Sequence, residues 1–249
     1  MTQVKERPIL FSAPMVRAIL EGRKTVTRRP VKGGQIPTED PAEEGRHRWS
    51  AIAQRDPRFG FCVFGSTEEE CAKELAEFAP CPYGKPGERL WVRETWGHTH
   101  NVNGQNDWPG RPHIAREGDE TVTIYRADGP WSWCDDDGFG SDRSYWKPSI
   151  HMFRSDSRIL LEITDVRVER LQDGDGETAF ESRYIAEGIN RIHQGDGDYA
   201  FHPFKTEPGP GSWTDPFDAW RELWISVSGA ESWNANPWIW VVEFKQVTP

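Results

Sequence analysis

The 249-residue chain has no apolar run near the roughly 20 residues that a membrane span requires, and its N-terminus lacks the apolar core of a secretory signal. A cytoplasmic protein with no membrane partner is therefore expected. Cysteine is scarce: Cys62, Cys71, Cys81 and Cys134 form no Cys-x-x-Cys pair and have no histidine at zinc-finger spacing. They are read as reduced thiols, with no metal and no other cofactor expected. Positive charge is also in short supply, because a formal net charge of -10 argues against broad attraction to phosphate backbones. The deficit is uneven, however. Residues 1–32 carry Lys5, Arg7, Arg17, Arg23, Lys24, Arg28, Arg29 and Lys32 against only Glu6 and Glu21, a local balance of +6. Such a segment is either a solvated basic face or a contact for an anion or RNA.

What the chain has in quantity is turn-forming and aromatic residues. Its 23 Gly and 19 Pro are spread along the whole length, which fits many turns between short strands better than a helical bundle. A β-rich α+β fold is expected. Thirteen Trp supply packing mass, so only a minority can line a site; Trp91, Trp96 and Trp238 are candidates for stacking on a nucleobase.

Local signals place several elements. Ser12, Pro14 and the spacing of Met15, Val16, Ile19 and Leu20 predict a two-turn helix that Gly22 stops. The β-branched stretch from Lys24 to Arg29 then reads as a strand entered directly from that helix. Glu68 to Phe78 suggests a helix and Thr121 to Tyr125 a short strand. Ile159, Leu161 and Ile163 alternate on one parity while Val166 and Val168 follow the other, which predicts a bulge near Asp165. Thr214 or Asp215 before Pro216 starts a helix with Phe217, Trp220, Trp224 and Val227 on one face, ended by Gly229. Phe180, Tyr184 and Glu187 fall at i, i+4 and i+7, predicting a helix that Gly188 ends and that brings the Glu187 carboxylate onto its apolar face. Trp238 to Phe244 is an apolar and aromatic strand. Residues 31–80 and 97–145 show little pattern and read as insertions into a single domain spanning residues 1–249.

Four stretches, in order, resemble ASCH proteins, especially the larger forms common in phages and prophages. They are Gly22-Arg23-Lys24-Thr25-Val26-Thr27-Arg28-Arg29, Pro86-Gly87-Glu88-Arg89-Leu90-Trp91-Val92-Arg93-Glu94-Thr95-Trp96, Asp165-Val166-Arg167-Val168, and Trp238 to Phe244. The resemblance implies a PUA-like β-barrel and a role in RNA metabolism. The smallest bacterial members include an amidohydrolase that removes acetyl from the exocyclic amine of acetylcytidine. Its catalytic Lys and Thr fall on Lys24 and Thr27, and its catalytic Glu on Glu187.

Read from the residues themselves, amide cleavage needs a nucleophile, a group to take its proton and an acid for the leaving amine, roles that Thr27, Lys24 and Glu187 could fill. Arg23, Arg28 and Arg29 supply the neighbouring positive charge that would help Lys24 lose a proton. Arg23 and Arg29 also count as substrate-binding candidates. So do Arg93 and Glu94, at the end of an apolar strand, where one should point inward to a base edge or to an ion-pair partner. The plainer alternative makes Lys24 a solvated corner residue, Thr27 a strand former and Glu187 a side chain reaching water. Strict strand alternation sends Lys24 and Thr27 to opposite faces, so a shared site requires a turn or bulge between them. The function expected is an amidohydrolase acting on 4-acetylcytidine or a related modified nucleoside. The alternatives are an RNA-binding module that takes single-stranded RNA or an RNA base, or a ribonuclease.

Overall fold

The computed structural model describes residues 4–53, 61–100, 120–129, 133, 144–178 and 182–248. In chain order the first elements are β1 (Glu6–Leu10), α1 (Ala13–Leu20), β2 (Val26–Pro30), β3 (Thr38–Glu39), β4 (Trp49–Ile52), β5 (Cys62–Gly65) and α2 (Glu68–Phe78). Then come β6 (Arg89–Arg93), β7 (Trp96–His100), β8 (Thr121–Tyr125), β9 (Leu160–Arg170), β10 (Asn190–Gly195) and β11 (Asp198–His202). The chain ends with α3 (Pro216–Ser228), α4 (Ala230–Asn234) and β12 (Trp238–Val247). The α+β, strand-rich class expected from composition is the one observed. None of the helices is long and apolar enough to cross a membrane among the described residues.

The central element is β12, whose first five residues are all buried, so it reads as a continuous apolar run instead of alternating. It pairs antiparallel with β9 on one side and with β2 on the other, uniting the two ends of the chain in one five-stranded sheet of order β1-β6-β9-β12-β2. Only β1 and β6 run parallel. The register of β9 slips where Phe244 faces Ile163 and Glu243 faces Asp165, leaving Thr164 as the extra residue. That is the bulge which the change of parity along β9 foretold, and it bends the sheet.

The sheet does not close into a barrel among the described residues. β1 and β2 are its two edges, and a side chain links them: Arg29 Nη2 donates to Leu10 O at 2.8 Å. The end of β1 and β2 both contribute to the lining of one cavity.

Residues 31–80 are not a loose appendage. The described residues among them include the antiparallel sheet β3-β4-β5 and α2, which packs against β4, β5 and β9. α2 follows from its sequence: Thr67 accepts a cap hydrogen bond from the Glu70 N–H, and Glu68, Glu69 and Glu70 favour its positive N-terminal end. Its buried Cys71, Ala72 and Leu75 join the same hydrophobic cluster as Trp240 and Val241. Each large apolar side chain removed from water there contributes about 1.5–3 kcal/mol. β7 and β8 pair as a separate antiparallel ribbon.

α3 begins where Asp215 accepts from the Phe217 N–H at 2.8 Å and Pro216 occupies the first turn. Its buried residues are Pro216, Ala219, Trp220, Leu223 and Trp224; Trp220 and Trp224 belong to the face expected, whereas Val227 is 70% exposed.

Candidate active site

The site begins at the corner between α1 and β2. Gly22 takes the left-handed conformation at φ +73°, and the N–H groups of Arg23 and Lys24 both donate to Ala18 O at 2.8 and 2.9 Å, closing the helix end. The next two N–H groups, of Thr25 and Val26, share one acceptor, Ala186 O, at 3.0 and 3.3 Å. Two consecutive donors on a single carbonyl mark the extra residue of a bulge. It overrides the alternation that would have separated Lys24 from Thr27, and both line the same cavity.

Glu187 reaches the cavity differently from the helix predicted over 180–187. Residues 182–188 form successive turns, with the N–H groups of Ile185, Glu187 and Gly188 bonded to Ser182 O, Tyr184 O and Ile185 O at 3.0–3.2 Å. Phe180, part of the predicted helix face, lies outside the described residues. The carbonyls of Ala186 and Glu187 are taken by β2 and by the Lys24 ammonium, and Glu187 forms an isolated antiparallel bridge with Lys24. The chain can lie this close because Gly188, at φ +96°, has no side chain. A Cβ there would sit 2.8 Å from Ala18 Cβ and 3.3 Å from Lys24 Cβ.

Lys24 is 3% exposed and Glu187 also 3%. The Lys24 Nζ donates to Glu187 Oε2 at 2.5 Å, to Val26 O at 2.8 Å and to Glu187 O at 2.9 Å. Three acceptors match the three hydrogens of an ammonium, so this is the protonated resting form. Burial nevertheless pushes the Lys24 pKa below its ordinary value. Glu187 opposes that shift, while Arg29 and Arg28 add to it. The Lys24 proton is thus easier to lose than that of a lysine in water. Arg28 holds the other carboxylate oxygen through Nη1, at 3.1 Å from Oε1. Its guanidinium lies 5.1 Å from the ring centre of Tyr184 and 5.8 Å from that of Trp220, and these two rings are stacked at 5.5 Å.

The cavity measures about 400 Å³, within the range of small-molecule sites. One wall is the end of β1 with Ser12 and Met15 of α1, another is Thr27 to Pro30 of β2, and a third is Trp220, Leu223 and Trp224 of α3. Thr27 is 3% exposed, and its hydroxyl has no hydrogen-bond partner among the described residues, so it is available to a ligand.

The structure therefore brings Lys24, Thr27, Glu187 and Arg29 together at one cavity, but not the remaining candidates. Arg23 lies outside the lining and braces the loop, donating to Gly188 O at 2.8 Å and to Glu21 at 2.7 Å. Arg93 stacks over Trp91 at 4.8 Å. Glu94 points inward, as alternation allowed, but into a two-bond pair with Arg158 at 2.9 and 3.1 Å, away from the cavity lining. Trp91, Trp96 and Trp238 lie outside the lining, whose aromatic residues are Phe11, Trp220 and Trp224. Those two tryptophans also belong to the buried face of α3, where sequence reasoning placed them. It had counted Arg28 among the basic residues near Lys24 without naming it a site residue, although three successive polar side chains ending at Pro30 were a signal that both faces of β2 are used.

No three metal-ligating side chains cluster among the described residues. No protein-family model matches the chain, and no curated protein and no solved structure is significantly similar to it.

Proposed function

We propose that this protein is an amidohydrolase of the ASCH type that removes an acyl group from the exocyclic amine of cytidine, as in the conversion of 4-acetylcytidine to cytidine, or from a related modified nucleoside. The same proposal reads its open sheet as a PUA-like barrel left unclosed between β1 and β2. The observation that carries the reading is the convergence of Lys24, Thr27 and Glu187, far apart in sequence, on one cavity, with Lys24 and Glu187 in contact at 2.5 Å.

In this scheme the Lys24 proton moves to Glu187, leaving a neutral amine and a neutral acid. Thr27 Oγ1 attacks the acyl carbonyl carbon and gives its proton to Lys24. The tetrahedral oxyanion is stabilised by the excess positive charge of the lining. Glu187 then protonates the departing cytosine amine, the C–N bond breaks, and the acyl group rests on Thr27 as an ester. Water attacks that ester, one of its protons returning to the Thr27 oxygen, and the carboxylic acid leaves with the Lys24–Glu187 pair restored. Trp220 and Trp224 supply apolar aromatic surface to the wall beside the reacting groups.

A second reading, an RNA-binding module, is favoured by Arg28 and Arg29 beside the cavity and by the basic residues 1–32. The test is incubation of purified, metal-free protein with 4-acetylcytidine and separation of the products by chromatography. Cytidine and acetate should appear in equal amounts. Failure to release cytidine, together with tight, salt-sensitive binding of single-stranded RNA, would replace the enzyme by the module.

A further inference from the structure

The cavity is not electrically balanced. Among the described residues three cations line it, Lys24, Arg28 and Arg29, against one carboxylate, that of Glu187. The proton shared by Lys24 and Glu187 does not alter this sum, since their combined charge is zero wherever the proton sits. Two guanidinium charges are left over.

Arg28 is 5% exposed, and among the described residues its guanidinium makes one hydrogen bond, to Glu187 Oε1. A guanidinium has five N–H donors, and those Arg28 does not use on Glu187 remain open to an acceptor in the cavity it lines. Arg29, nearer the surface, uses Nη2 on Leu10 O, while its buried Nε has no partner. The N-terminus of α1 adds partial positive charge at the same wall: Ser12 lines the cavity and its side chain does not cap the helix. These three features point the same way, toward an acceptor-rich anion that a neutral nucleoside does not carry.

We infer that the natural ligand is a phosphorylated nucleoside, its phosphate held at the Arg28–Arg29 side of the cavity. This rests on the proposed nucleoside chemistry for the base but adds a separate requirement, which binding alone can test. The geometry of a guanidinium suits phosphate oxygens, and a partly enclosed site weakens solvent screening of the contact.

The experiment is calorimetric titration of the whole protein at low ionic strength with cytidine, cytidine 5′-monophosphate, inorganic phosphate and a short single-stranded RNA. Neither the nucleoside nor the monophosphate carries an acyl group, so turnover does not intervene. The monophosphate should bind at least about tenfold more tightly than cytidine, and that advantage should shrink as salt rises. Inorganic phosphate should compete with it. Arg29→Gln should cut the advantage to less than about threefold while Arg29→Lys keeps part of it, both variants being checked for an unchanged melting temperature. Equal affinity for cytidine and its monophosphate, binding of none of the probes, or tight binding of the RNA without the monophosphate would each overturn the inference. Hydrolysis of acetylcytidine with no phosphate advantage would overturn it and leave the proposed function standing. A phosphate advantage without hydrolysis would do the reverse.

Discussion

Two buried carboxylates in this molecule are held by arginines resting on tyrosines, and they differ in what lies beside them. Glu187 faces Lys24 and Arg28, with Arg28 over Tyr184; Glu94 faces Arg158, which lies 3.9 Å from the ring centre of Tyr125. Arg158 also pairs with Asp128 at 2.6 Å, so the Glu94 cluster holds two acids and one base. The Glu187 cluster holds one acid and two bases. Burial pushes the Glu94 pKa up against the opposing pull of Arg158. The decisive contrast is access. Glu187, Lys24 and Arg28 line a cavity, whereas Glu94 and Arg158 belong to no part of that lining. Both clusters incur the desolvation cost of a buried charge, but only the first offers a ligand something to bind, so burial and pairing do not by themselves mark a site.

The largest effect expected from breaking this contrast is on turnover. Glu187→Gln should lower hydrolysis of acetylcytidine by about 10²–10⁴-fold, the contribution of a general acid, as read by steady-state kinetics. Glu94→Ala should leave turnover per folded molecule within about twofold. In denaturant unfolding it should nevertheless cost on the order of 3 kcal/mol, because the partly buried Arg158 loses its better-shielded partner. A large loss of turnover in fully folded Glu94→Ala would erase the distinction between the two clusters.

A smaller effect concerns the tyrosine under Arg28. The Tyr184 hydroxyl donates to Leu171 O at 3.2 Å and accepts from the Gly174 N–H at 3.0 Å, and burial holds its pKa up to about 12 against the ordinary 10. Above pH 10 the unfolded chain loses this proton while the folded one keeps it. The raised value therefore contributes stability that is complete below pH 10 and lost as pH climbs toward 12. Relative to Tyr184→Phe, the parent protein should lose on the order of 2 kcal/mol across that window, as measured by unfolding at fixed pH values. Parallel curves would mean that Tyr184 is not shielded as its packing against Trp220 and Phe217 implies.

Much of the local structure was legible because it is locally determined. Pro14 and Gly22 bound α1, Thr67 and three glutamates start α2, and Asp215 with Pro216 starts α3. The change of parity along β9 gave away its bulge. Lys24 and Thr27 were paired by the resemblance to ASCH proteins, and alternation said that a shared site needs a turn or bulge there. The turns at 182–188 were not legible, because the carbonyls that a helix would have used are claimed by a strand and an ammonium 163 residues away in sequence. The open edge between β1 and β2 was missed for a related reason: no local pattern says whether two edge strands pair or leave a cavity. Glu94 and Glu187 look alike in sequence, each a carboxylate at the end of an apolar stretch. Their difference is set by where the sheet edges fall, and so are the placement of Trp220 and Trp224 in the wall and the exclusion of Trp91 and Trp238.

The central claim is that Thr27 is the nucleophile of a site formed with Lys24 and Glu187. Its most direct test is the rate of 4-acetylcytidine hydrolysis by Thr27→Ala, with the melting temperature measured on the same sample. The account predicts a fall of about a thousandfold or more in turnover, with stability within about 1 kcal/mol of the parent, since the Thr27 hydroxyl has no partner to lose among the described residues. A folded Thr27→Ala protein that hydrolyses acetylcytidine at the parent rate would contradict it.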